Sequence, residues 1–133
     1  MKRDMDLVRA LLLAVEEKGD EDGRLYINVG SDREKLGLAD YSPFAISYHI
    51  GLLGQAGFIE VSPLLSAEGY GEFDIERMTW DGHEFLDNVR DAKIWRLTKE
   101  GAKKAGSASV GLLAELAKGY AKQMAQQMGL PIP

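Results

Sequence analysis

The chain has 133 residues, of which 45% are apolar and 28% charged, a composition typical of one ordinary globular domain. It contains no cysteine, which excludes disulfides, thiolate zinc sites and thiol nucleophiles. The net charge of −5 disfavours nucleic acid as a partner, but it is unevenly spread: residues 1–91 hold nine Lys/Arg and nineteen Asp/Glu, and residues 92–133 hold seven and two.

The first helix is predicted from Asp4, which can cap it, to Lys18, because apolar residues recur there at helical spacing. An alternation of apolar and polar residues over 24–29 then predicts a short strand. Ser31 to Glu34 has the pattern of a capping box, which predicts a short second helix ending near Leu38.

The third helix is the best defined, since Ser42 can cap it, Pro43 takes its first position and Gly57 can end it. Strands predicted at 58–61 and 73–78 form a hairpin, or wing, whose loop contains Pro63, Gly69 and Gly71. Three more helices follow, and they are predicted at 79–89 with Thr79 as cap, at 92–105 and at 109–128.

This order of elements predicts an α+β fold, a winged helix-turn-helix with a β-hairpin wing and additional C-terminal helices. Residues 1–91 form the predicted winged-helix domain, and residues 92–133 a helical extension with a basic helix followed by an apolar one.

Three segments carry a resemblance to a known family: MKRDMDLVR at 1–9, YHIGLLGQAGFIE at 48–60 and MTWDGHEFLD at 78–87. They are similar to the bacterial and phage family called domain of unknown function 2513. The resemblance implies a winged-helix-like fold, frequent occurrence in phages and prophages, and no established activity. Members of that family pass from the first strand to the third helix through a brief Gly-Tyr-Ser turn, whereas this chain has additional residues at 30–41.

No pattern in the chain points to catalysis, and we expect neither an enzyme nor a cofactor. His49 lies on the inward arc of the third helix, which favours a hydrogen-bonded core histidine over a ligand or a base. His83, Glu84 and Asp87 have a spacing that a metal could use, but such pairs are common on solvated helix faces, so we expect no metal site. Gly69 and Gly71 open no helix, and the serines lie in no nucleophile motif.

The exposed face of the third helix is the predicted partner- or nucleic-acid-binding site. Residues 43–57 contain no Lys or Arg, so nothing there anchors a phosphate, although Gln55 and Ser47 can read bases. Carboxylates at 68, 72, 74 and 76 of the wing would also repel phosphate. The predicted face consists of Phe44, Ser47, Tyr48, Gly51 and Gln55.

Two further surfaces are predicted in the C-terminal extension. The fifth helix carries a basic strip opposite Ile94, Thr98, Ala102 and Ala105, which is either a solvated face or a contact for nucleic acid or an acidic partner. The sixth helix has an apolar stripe wide enough to pack on the first helix or to form a homodimer. The basic strip is Lys93, Arg96, Lys99, Lys103 and Lys104. The oligomerisation stripe is Val110, Leu113, Leu116, Tyr120 and Met124.

Two functions from different classes follow from the sequence. The leading hypothesis is a DNA-binding or transcription-regulator-like module of phage or prophage origin, and the alternative is a protein-interaction module on the same scaffold. We expect a cytoplasmic protein without membrane contact, because the apolar run at 11–15 is short, Asp4 and Asp6 precede it, and no stretch approaches the ~20 apolar residues of a membrane span.

Overall fold

A computed structural model of the chain describes residues 1–64 and 71–130, and it has an α+β fold with six helices and a three-stranded antiparallel sheet. The predicted α+β class is therefore confirmed. The chain divides into two compact units, Met1–His83 and Glu84–Pro133. The boundary lies inside the fourth helix, on the N-terminal side of the division predicted between residues 91 and 92.

The first and third helices begin at the capping residues that were predicted for them. Helix α1 spans Met5–Lys18, and the Asp4 carboxylate accepts hydrogen bonds from the backbone amides of Asp6 and Leu7. Helix α3 spans Pro43–Gln55, and the Ser42 hydroxyl accepts from the amide of Ala45 at 3.1 Å. Because each cap lies within three residues of the amide it satisfies, these starts follow from local sequence.

The second helix differs from its prediction. Helix α2 spans Val29–Asp32 and is capped by Asn28, so the helix predicted from Ser31 to Leu38 is wrong. The Asn28 side chain accepts from the Ser31 amide at 3.2 Å, and the Asp32 carboxylate accepts from the Asn28 amide at 2.8 Å. This reciprocal pair satisfies two backbone donors and buries Val29, whereas residues 33–37 form turns.

The sheet combines one strand from before α3 with the hairpin after it. Strand β1 spans Leu25–Asn28, β2 spans Ile59–Leu64 and β3 spans Glu72–Met78, in the order β1-β3-β2 with both pairings antiparallel. The predicted hairpin is confirmed, but β2 continues three residues beyond the predicted end at Val61. It can include Pro63 because β2 is an edge strand. The predicted wing tip at 65–70, with Gly69, lies outside the described residues.

A buried histidine joins α3 to the start of α1. His49 is 1% exposed, and its Nε2 accepts from the Asp4 amide at 2.8 Å while Nδ1 lies 2.8 Å from the Ala45 carbonyl oxygen. An acceptor at Nε2 and a donor at Nδ1 together require the neutral Nδ1–H tautomer. The prediction of a hydrogen-bonded core histidine is confirmed. Around it the two helices bury apolar residues that include Leu11, Leu12, Ile46, Ile50 and Leu53.

The chain after β3 turns tightly back against the start of β2. Thr79 donates its backbone N–H to the carbonyl oxygen of Phe58 at 3.0 Å, and its hydroxyl accepts from the amide of Gly82 at 3.1 Å. Helix α4 spans Trp80–Val89, so Thr79 caps it as predicted. Gly82 is buried, and a Cβ added there would lie 2.2 Å from the Phe58 carbonyl oxygen. Only glycine therefore fits at position 82.

Two further helices form most of the second unit. Helix α5 spans Ala92–Ala105, and α6 spans Val110–Gln127 with the Ser109 hydroxyl accepting from the Leu112 amide. They pack closely at Gly101, where an added Cβ would lie 2.8 Å from Tyr120 Oη. The buried apolar residues of this unit include the three predicted for the inner face of α4: they are Phe85, Leu86, Val89, Trp95, Ala102, Leu113 and Ala117.

Candidate functional site

The exposed face of α3 carries two aromatic side chains one helical turn apart. Phe44 is 60% exposed and Tyr48 is 45% exposed. Residues 43–57 contain no charged side chain. The ring of Tyr48 lies edge-on to the ring of His49, with 5.8 Å between centroids, so it rests on a fixed part of the core. The face therefore offers apolar surface without charge.

The other predicted residues of this face lie in two different surroundings. Gly51 and Gln55 are exposed, whereas Ser47 is half-buried because the chain entering β3 passes close to it: a Cβ added at Gly71 would lie 3.2 Å from Ser47 Oγ. Gly51 has open space around it, and a Cβ added there would meet no atom within 4 Å. The surface that the structure brings together is therefore Phe44, Tyr48, Gly51 and Gln55.

An open groove of about 790 Å³ lies between the C-terminal half of α3 and the hairpin. Its apolar floor includes Val61, whose Cγ1 lies so close to α3 that a Cβ added at Gly54 would be 2.8 Å from it. Its lining includes the carboxylates of Glu60 and Glu76 and, in the described residues, no lysine or arginine. We call it the acidic groove, and its described lining offers no cation to hold a phosphate.

Most carboxylates of the described part of the hairpin already have a partner. Asp74 lies 3.4 Å from Nε of Arg24, Glu72 accepts from the Asn28 side-chain amide at 2.9 Å, and Glu60 pairs with Arg77. The Asp74 carboxylate and, next, Tyr26 raise the pKa of the Arg24 guanidinium above its usual value, so this cation stays charged. Arg24 and Arg77 are therefore already paired with carboxylates of the hairpin.

One exposed aromatic residue was missed by the sequence analysis. Trp80, the first residue of α4, is 78% exposed. A helical wheel of 80–89 contains the signal, since Trp80 lies opposite the arc of Phe85, Leu86 and Val89. An exposed tryptophan of this kind is typical of an interaction surface.

The five cations predicted for α5 are all exposed on one face of that helix. The residues on its opposite side differ in part from the prediction: Trp95, Thr98 and Ala102 are buried, Ile94 is half-buried and Ala105 is exposed. Ala105 is exposed because it lies in the last turn, before the left-handed Gly106 at φ +74° turns the chain away. The Nζ atom of Lys99 lies 5.8 Å from the centroid of the Trp95 ring.

The apolar stripe predicted for α6 is divided between covered and open positions. Leu113 is buried, whereas Val110, Leu116, Tyr120 and Met124 are half-buried. Much of the covering comes from α5, whereas the sequence had predicted the first helix or a second copy as the neighbour. Beyond the stripe, Met128 is 72% exposed and Leu130 is 52% exposed.

In residues 1–64 and 71–130 no group of three or more His, Asp or Glu side chains is arranged to hold a metal ion, and His83 is exposed. Within the same ranges no helix has the length and apolar character needed to cross a membrane.

Comparison with known proteins identifies the family. A protein described as "Uncharacterized protein" from Haemophilus influenzae (strain ATCC 51907 / DSM 11121 / KW20 / Rd) is 31% identical over 130 residues, which cover 96% of this chain and 98% of that protein. No solved structure matches the chain. The family described as "Hypothetical protein (DUF2513)" matches residues 2–108. The resemblance carried by the three segments at 1–9, 48–60 and 78–87 is thereby confirmed, and the chain belongs to the DUF2513 family.

Proposed function

We propose that this protein is a non-enzymatic binding protein with the winged-helix fold, and that the exposed face of α3 binds a protein partner. The order α1-β1-α2-α3-β2-β3 and the strand order β1-β3-β2 support the winged-helix assignment. In that assignment α3 holds the position of the recognition helix and β2–β3 is the wing.

The observation that supports a protein partner is the exposure of Phe44 and Tyr48 on an uncharged helix face. Burying aromatic rings supplies much of the binding energy of protein interfaces, and tyrosine is enriched among their hot spots. A DNA-reading helix, in contrast, needs cations that hold it on the phosphates, and α3 has none.

The test is affinity capture from nuclease-treated lysate of the native organism. Tyr48→Ala and Phe44→Ala are each expected to weaken capture of the partner about 30-fold, which corresponds to the ~2 kcal/mol of a hot-spot residue. Tyr26→Ala is the matched control, because Tyr26 is 57% exposed but lies on β1. Equal losses in all three variants, or capture that disappears with nuclease treatment, would contradict a protein-binding α3.

DNA-binding regulation is the second candidate function. The winged-helix order of elements and the basic strip of α5 favour it, with Gln55 of α3 available to read a base edge. Under this function Gln55→Ala alters the preference among duplex sequences, whereas under the first it changes only protein capture.

We also propose that α6 forms a homodimer contact, because Tyr120 and Met124 are only half-buried and Met128 is exposed. Met124→Glu is expected to halve the mass measured by sedimentation, since a charge in the proposed contact is costly to bury. Gln123→Glu, one position away on the exposed side, is expected to leave the mass unchanged. A wild-type protein that sediments as a monomer at all concentrations would refute the dimer.

A further inference from the structure

The basic strip of α5 is a dense cationic surface on an otherwise acidic chain. Its five cations lie within twelve consecutive residues, and Glu100 is the acidic residue among them. Residues 84–133 hold eight Lys/Arg and five Asp/Glu, whereas residues 1–83 hold eight and sixteen. The positive charge of the second unit is therefore concentrated on one helix face.

Four of these cations have no partner within the described residues. The side chains of these four residues make no hydrogen bond, ion pair or ring contact there, whereas Nζ of Lys99 lies over the Trp95 ring. The four are Lys93, Arg96, Lys103 and Lys104. Two cations of the first unit, in contrast, are paired with carboxylates, Arg24 with Asp74 and Arg77 with Glu60. A row of unpaired cations repels itself, and an external polyanion would relieve that repulsion.

The surroundings of the basic strip indicate which class of polyanion it can bind. An amphipathic helix binds an anionic membrane by inserting its apolar side, but the apolar side of α5 is buried, as Trp95 and Ala102 at 4% exposure show. Lysine is depleted in protein–protein interfaces, and four of the five cations are lysines with no exposed aromatic residue on α5 beside them. Phosphate contacts need only flexible cations, which is what this surface offers.

The same surface fits a nucleic-acid duplex better than a single strand. Proteins that bind single strands stack bases on exposed aromatic rings, and the aromatic residue of α5, Trp95, is buried. From Lys93 to Lys104 the helix advances about 16 Å, which spans several phosphates along a duplex at ~3.4 Å per residue of one strand. We propose that the exposed cationic face of α5 binds the phosphate backbone of duplex nucleic acid without reading its sequence.

This activity does not depend on what α3 binds. With four or five phosphate contacts, the logarithm of the association constant falls with the logarithm of salt concentration at a slope of about −3.6 to −4.5. Between ~50 and ~200 mM salt, affinity for a random-sequence DNA duplex therefore falls about 150-fold to 500-fold.

The experiment measures binding of the full-length protein to that duplex by fluorescence anisotropy over this salt range. The test variant carries glutamine, which has a similar helix propensity, in place of Lys93, Arg96, Lys103 and Lys104. The magnitude of its slope is expected to fall to about 0.9 or below. The matched control removes four lysines elsewhere and so has the same net charge: Lys2, Lys18, Lys35 and Lys122 are replaced with glutamine. The control is expected to keep the wild-type slope, and circular dichroism verifies that both variants are folded.

Four results would overturn the proposal: no binding at low salt, equal loss of slope in both variants, tighter binding to a single strand, or poly-glutamate binding as tight as duplex binding. The last of these would indicate an acidic protein as the partner. Phe44→Ala and Tyr48→Ala are expected to leave duplex affinity unchanged. Failure of the α3 proposal and failure of the α5 proposal are thereby distinguished.

Discussion

Replacing Gly82 with alanine is expected to lower the free energy of unfolding by about 3 kcal/mol, at the upper end of the cost of overpacking. The new Cβ would lie 2.2 Å from the carbonyl oxygen of Phe58 and 2.7 Å from Cγ of Met78. The oxygen belongs to the backbone at the start of β2, so it cannot move without disturbing the hairpin. Either α4 shifts away from β2, or the hydrogen bond between Thr79 N–H and the Phe58 oxygen breaks.

Urea unfolding followed by circular dichroism measures this loss, and Gly51→Ala is the matched control. Both glycines lie inside helices, but an added Cβ at Gly51 meets no atom within 4 Å. Alanine there is expected to stabilise the protein by about 0.5–1 kcal/mol, because glycine loses more backbone entropy on folding. If both variants changed stability by the same amount, the close approach of α4 to β2 would not be a feature of the folded protein.

Replacing His49 with alanine is expected to destabilise the protein by about 3 kcal/mol or more. The change removes the Nε2 acceptor from the Asp4 amide, and an unsatisfied amide of this kind costs about 1–3 kcal/mol. It also leaves a cavity between α1 and α3, where His49 is 1% exposed.

His49→Gln separates the two effects. The glutamine side-chain oxygen can accept from the Asp4 amide in place of Nε2, so this variant is expected to retain more stability than His49→Ala. Denaturant unfolding of both variants measures the difference. If His49→Gln were no more stable than His49→Ala, the hydrogen bond to α1 would contribute nothing measurable.

Helix starts and the hairpin could be predicted because their causes are local. Asp4, Ser42, Thr79 and Ser109 each accept a hydrogen bond from an amide two or three residues further along the chain. The prediction for α2 failed because Ser31 and Asn28 both had side chains able to cap, and local pattern did not rank them. The Asp32 carboxylate, which accepts from the Asn28 amide, and the burial of Val29 accompany the start at Asn28.

The candidate surfaces also divide into those that local sequence predicted and those that depend on packing between elements. Periodicity placed Phe44 and Tyr48 of α3 and the cations of α5 on exposed helix faces, because a helix of known register has only one solvent side. It did not find Trp80, although the wheel of α4 contained that signal. Periodicity could not predict the acidic groove beside α3, since Glu60, Glu76 and Gly51 come from three different elements.

By itself, the sequence determined the α+β class, the caps of α1, α3 and α4, the hairpin, the inward face of His49 and the charge of each helix. These properties depend on residues within about one helical turn of one another, or on alternation along a single strand. Only the tertiary structure decided which amide His49 satisfies, why position 82 must be glycine and how far α5 covers the stripe of α6. Each of these joins residues far apart in the chain, and such contacts depend on how elements pack, which no local pattern encodes.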